Sequence, residues 1–194
     1  MKKTVLITGA SGNLGKATVE KFISAGYKVI AMVSPGKALP VDPAADLETV
    51  EADLRNEGQV NEVINQIITN HKIIDGALLL AGGFAAGGIK AADGEGIKNM
   101  YELNFETAYF VARPVFLQMQ KQPSGGRIVF VGGPAAWGLH RAGIGAGVGT
   151  SAAGEDCIEI RPSDAQPPVE SRVDSAAGDR RSQFRTQRLD RRCQ

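Results

Sequence analysis

Three features of the sequence predict a doubly wound α/β domain built on a parallel sheet. Short β-rich runs alternate with segments of helical length across residues 1–136. The runs ALLLA and RIVFV are near-continuously apolar, as strands buried on both faces must be. The first run breaks at a glycine-spaced turn that opens a helix. Five strands with crossover connections follow, in the spatial order 3-2-1-4-5, with ligands expected at the carboxyl ends of the strands.

The strands in order are KTVLIT, YKVIAMV, LETVEA, IIDGALLL and RIVFVG. Between them the spacing predicts helices over Leu14–Ala25 and Glu57–Asn70, and a long one from about Gly96 to Gln120. In the second of these, Val60, Val63, Ile64, Ile67 and Ile68 fall on one face, which is the stripe a helix lays on a sheet.

Chemistry enters at VLITGASGNLGKA, where the first strand ends at Thr8 and the chain passes Gly9, Gly12 and Gly15 into a helix. Gly9 makes the turn, Gly12 permits close approach of a ligand to the backbone, and Gly15 lets the helix pack on the strand. With Ser11, Asn13 and Leu14 between them, these residues offer backbone amides and a helix amino end to a pyrophosphate. A tight turn without a ligand is the alternative. The strand before the triplet, the helix after it and its place at the start of a βαβ unit favour dinucleotide binding on a Rossmann-type sheet.

The end of the second strand bears on which dinucleotide. NAD sites in such sheets place an acid there for the ribose hydroxyls, whereas IAMVSPGKAL offers Ser34 and Lys37 and no acid until Asp42. A hydroxyl and a cation suit a 2'-phosphate, so the expected cofactor is NADP, with NAD as the alternative; both residues also fit an ordinary exposed loop.

Composition excludes several other classes. The formal charge is +1 over 194 residues, which gives no global argument for nucleic acid or an anionic membrane. Cys157 and Cys193 show no metal-ligand spacing. The longest apolar run, Gly76 to Gly88, is glycine-broken and too short to span a bilayer, and MKKTVLITG reaches a glycine turn before a signal peptide's apolar core would be complete. A cytoplasmic protein with a small-molecule substrate is the expectation.

The chain divides at residue 136. Residues 1–136 hold all ten lysines and three arginines; residues 137–194 hold nine arginines and no lysine. The second segment has one short apolar run, Cys157 to Ile160, amid scattered Arg, Ser, Ala and Pro. It reads as a disordered or out-of-frame tail that cannot complete the sheet, leaving the fold incomplete on its C-terminal side and the fifth strand with an open edge. Eight acids against its nine arginines argue against a nucleic-acid arm.

Residues 2–136 resemble the short-chain dehydrogenase/reductase family, in motif style nearest to its dihydropteridine reductase-like members. TGASGNLG stands for the family's glycine turn, EADLRNE places Asp53 and Leu54 at its adenine-contacting position, and LLLAGGFAAGG retains Ala81 and Gly82 of its Asn-Asn-Ala-Gly element, followed by Gly83. In MYELNFETAYFVARP, Asn104 falls at the asparagine that holds a kinked helix and an ordered water in the family's proton relay. The resemblance implies an NAD(P)-dependent oxidoreductase that transfers hydride to a carbonyl or related substrate, and a homo-oligomer in the intact family form.

Each carried-over role has a plainer counterpart. Asp53 fits a capping carboxylate, Asn104 a structural hydrogen bond, and Gly82–Gly88 a loop without ligand contact. One departure is larger. The family's tyrosine, paired with a lysine four residues on that stabilises its phenolate, has no counterpart here: tyrosines stand only at 27, 101 and 109, and the last lysine is Lys121. Gly132 and Gly133 occupy the place of the family's serine. The sequence as written therefore reads as catalytically inactive, and a non-catalytic NADP-binding sensor is the alternative to an enzyme.

Overall fold

The computed structural model describes residues 2–85 and 92–131, together with the backbone of residues 155–160. Strands β1 (Thr4–Thr8), β2 (Lys28–Val33), β3 (Leu47–Glu51), β4 (Gly76–Leu79), β5 (Gly126–Val131) and β6 (Glu155–Ile160) form one sheet in the order β3-β2-β1-β4-β5-β6. The first five are parallel, as the sequence predicts.

β1 sits at the centre because all five of its residues are buried. Helix α1 (Asn13–Ser24) covers one face, where Val5, Ile7, Val19, Val29 and Ala31 form a core. Helices α2 (Glu57–His71) and α4 (Thr107–Lys121) cover the other, where Leu6, Ile30, Val60, Ile64, Val111, Val115 and Met119 pack together. Each fully buried aliphatic there contributes roughly 1.5–3 kcal/mol relative to an exposed one. The connection between β2 and β3 contains no helix; Leu39 and Val41 from that loop pack on the α1-side core instead.

Helix ends follow local chemistry. The Asn56 side chain accepts the Gln59 amide to cap α2, and Asp93 accepts the Gly96 amide to cap α3 (Gly94–Tyr101). The expected single helix from Gly96 is instead α3, a π-helical turn over Glu102–Glu106, and α4. Apolar spacing does not distinguish a wider turn that lasts only five residues. After α4, the buried Gln122 side chain accepts the Ile74 amide at 3.2 Å and donates to the Ile74 carbonyl at 2.7 Å, which joins the turn into β5 to the entry of β4.

The open edge expected on β5 is covered. β6 pairs with it antiparallel, from Gly126 opposite Ile160 to Val131 opposite Glu155. Composition left this segment without sheet character apart from Cys157–Ile160, but an unpaired edge accepts any extended chain free of Pro and Gly, and residues 155–160 contain neither. The expectations for residues 137–154 and 161–194, and for Gly132 and Gly133, lie outside the described residues.

Candidate dinucleotide site

The strand order reverses between β1 and β4, and the crevice of a doubly wound sheet opens at that point. Thr8, at the carboxyl end of β1, is 1% exposed. Its hydroxyl accepts the amides of Leu80 at 3.1 Å and Ala81 at 3.2 Å, so the loop after β4 is tied to the loop after β1.

Gly9 follows with φ +64, a conformation that favours glycine, and a Cβ there would lie 2.8 Å from the Ala81 nitrogen. The Gly12 amide donates to the Gly9 carbonyl at 3.0 Å, closing the turn. Gly15 lies buried in the first turn of α1, where a Cβ would overlap the Gly9 carbonyl oxygen. Gly9 and Gly15 thus act as the sequence predicts for turn and packing. Ser11 is half-buried, while Asn13 and Leu14 are exposed at the mouth of the turn.

Unlike α2 and α3, α1 begins at Gly12 with no side-chain cap and no acid in its first turn. Its amino end therefore presents backbone N–H groups and the positive end of the helix dipole with no capping side chain or carboxylate of its own, which suits a phosphate.

The loop after β4 is held from above. A Cβ on Gly82 would lie 2.7 Å from Asn104 Oδ1, and one on Gly83 would lie 2.5 Å from the Leu103 side chain. Asn104, in the π turn, accepts the Gly83 amide at 3.0 Å and donates to the Met100 carbonyl at 2.9 Å. The structure therefore brings Ala81, Gly82, Gly83 and Asn104 together with the β1 turn. Tyr101 and Tyr109 stack on either side of Phe105, at centroid distances of 4.9 and 6.1 Å, along an exposed stripe of the helix.

Asp53 and Leu54 follow β3. Asp53 Oδ1 accepts the Arg55 amide at 3.0 Å, shaping the turn before α2, while Leu54 packs on the core. The helix cap itself belongs to Asn56. Arg55 reaches across to Asn99 of α3, which fixes this turn relative to the third helix. Ser34 and Lys37 stand at the ends of an exposed turn after β2, closed by the Lys37 amide donating to the Ser34 carbonyl at 3.0 Å.

Two residues of this region escape a linear reading. Thr8 is signalled only by a polar residue ending an otherwise apolar buried strand. Glu51 lies at the end of β3, but the parallel register sets it opposite Val33, and its carboxylate accepts the Gly36 amide of the Ser34–Lys37 turn at 3.3 Å. There is an acid beside β2 after all, supplied by the neighbouring strand.

A glycine-lined turn running into an uncapped helix at the switch point of a parallel sheet defines a doubly wound α/β protein of Rossmann type. Residues 3–146 match the short chain dehydrogenase family model, and the chain belongs to that family. It is 29% identical over 160 residues to an acetoacetyl-CoA reductase of Acinetobacter sp. (strain RA3849), covering 74% of this chain and 64% of that protein. Over 133 residues it is 27% identical to an uncharacterized oxidoreductase, YmfI, of Bacillus subtilis (strain 168), covering 64% of this chain and 54% of that one.

Among solved structures, ElxO with NADP bound aligns with a TM-score of 0.70 and 25% identity over 76% of this chain and 62% of its own. A short-chain dehydrogenase from Leptospira borgpetersenii with bound NAD+ aligns with a TM-score of 0.66 and 23% identity over 72% of this chain and 54% of its own. This chain thus spans less than two thirds of the length of these relatives. No helix among the described residues is long and apolar enough to cross a membrane.

Proposed function

We propose that this chain is the cofactor-binding part of an NAD(P)-dependent oxidoreductase acting on a carbonyl or related small molecule, with NADP as its dinucleotide. The observation that carries the reading is the uncapped amino end of α1 behind Gly9 and Gly12. The residues present fit the group. The backbone of Gly9–Gly15 would hold the pyrophosphate, Asp53 and Leu54 the adenine side, and Ala81, Gly82 and Gly83 the nicotinamide ribose. Ser34 and Lys37 would hold the 2'-phosphate, since a hydroxyl and an ammonium group complement a dianion. When bound, the cofactor supplies or accepts hydride.

Asn104 acts as a positioning residue. It fixes the Gly82–Gly83 backbone through its bond to the Gly83 amide, and so sets the height of the loop over the crevice. Protonation of a substrate oxygen needs an acid that this sequence does not carry at the family's Tyr-x-x-x-Lys spacing. That absence favours a second reading, a sensor that binds NADP without turnover.

Titration of the full chain with NADPH and NADH, followed by calorimetry, tests the shared element. Saturable binding with NADPH the tighter ligand supports it; no binding of either overturns it. Assay of NADPH oxidation against acetoacetyl-CoA and simple ketones then tests the sensor reading. Turnover by the chain as written selects the oxidoreductase and overturns the sensor, whereas binding without turnover is the outcome both readings expect of a chain that lacks Tyr-x-x-x-Lys.

A further inference from the structure

The turn that offers Ser34 and Lys37 is not an unconstrained surface loop. Ser34, Pro35, Gly36 and Lys37 form a β-turn, and Gly36 at φ +72 has the left-handed conformation required at the third position of a type II turn, with Pro at the second. The pairing of β2 with β3 delivers the Glu51 carboxylate to the Gly36 amide. Lys37 and Glu51 also line one open cavity of about 370 Å³, floored by Leu39, Val41 and Leu47. A cation and an anion therefore line the same open corner beside the turn.

A backbone amide at such a turn is a ready partner for a phosphate oxygen. Here Glu51 already accepts its bond, so a carboxylate stands where an incoming 2'-phosphate would seek a donor. A carboxylate a few ångströms from a phosphate repels it, and the effect is strong enough near a protein surface to set a preference between two cofactors that differ by one phosphate.

We propose that Glu51 is a cofactor-selectivity residue: it holds the Ser34–Lys37 turn through the Gly36 amide and, by its charge, limits the preference for NADP that Lys37 creates. This inference rests on the reading of that turn as the adenine-ribose corner. Selectivity is then a balance between Lys37, which favours the 2'-phosphate, and Glu51, which disfavours it and suits free ribose hydroxyls.

The test is the ratio of NADPH to NADH affinity in the full chain and its variants, by calorimetry, with circular dichroism to verify folding. Lys37→Ala examines the underlying reading and should lower the ratio; an unchanged ratio removes the turn from the cofactor site and the inference with it. Glu51→Gln keeps an acceptor for the Gly36 amide and removes the charge, so the ratio should rise roughly tenfold at low salt. The rise should shrink at high salt, which a purely structural role would not produce. If Lys37→Ala lowers the ratio but Glu51→Gln leaves it unchanged, the inference fails while the reading of the corner stands.

Discussion

The Oδ1 atom of Asn104 lies 3.0 Å from the Gly83 nitrogen, and its Nδ2 lies 2.9 Å from the Met100 carbonyl oxygen. One side chain thereby joins the loop after β4 to the end of α3. Asn104→Ala removes both bonds and should cost about 1–2 kcal/mol of stability in this half-buried setting. Asn104→Asp keeps the acceptor but sets an oxygen against the Met100 carbonyl, and should be the more damaging change. Urea denaturation of the two variants checks the order, and an aspartate variant as stable as the parent would contradict the assignment of donor and acceptor.

Thr8 makes the second tie between the two loops. Thr8→Val preserves shape and burial but leaves the amides of Leu80 and Ala81 without their acceptor, an expected loss of about 2–3 kcal/mol. Thr8→Ser retains the hydroxyl and should lose less. Cofactor affinity measured beside stability should fall with Thr8→Val more than with Thr8→Ser, because the Ala81–Gly83 backbone is what the tie positions.

The glycines separate by what surrounds them. An alanine inside a helix normally improves on glycine by about 1 kcal/mol. At Gly15 the added methyl overlaps the Gly9 carbonyl, so Gly15→Ala should instead destabilise by at least about 2 kcal/mol. At the exposed Gly12 the methyl lies 3.3 Å from that oxygen, a contact a small shift relieves. Gly12→Ala should therefore fold with less than about 1 kcal/mol lost, yet bind dinucleotide more weakly. Thermal melts with and without NADPH distinguish these: Gly15→Ala lowers both midpoints, whereas Gly12→Ala lowers mainly the ligand-induced rise.

The five parallel strands were legible because each is a short apolar run between turn residues, and buried parallel strands admit little else. The glycine turn was legible because Gly9 and Gly15 need the absence of a Cβ for separate reasons, one for its left-handed backbone and one for its contact with the Gly9 carbonyl. β6 escaped because its pairing rests on backbone groups, which composition does not report. The π turn escaped because Met100, Leu103 and Thr107 satisfy helical spacing whether or not one turn widens. Glu51 escaped because the residue facing a site from a neighbouring strand is a matter of register, and 17 residues separate it from Ser34 in the chain. Asn104 was found by its place in a motif, but its partner Gly83 became evident only once the loop and helix were seen together.

The helix-free connection from β2 to β3 has a consequence for how the sheet yields. Helix α1 packs on β1 and β2, whereas the β3 corner has on that side a loop that packs through Leu39 and Val41. That corner is held by fewer packed side chains than the β1–β2 centre. Local opening there would expose the Ser34–Lys37 turn together with Glu51, while the glycine turn at the centre of the sheet stays protected. The glycine turn is therefore set in the buried middle of the sheet, whereas the Ser34–Lys37 turn is carried on its more lightly packed margin.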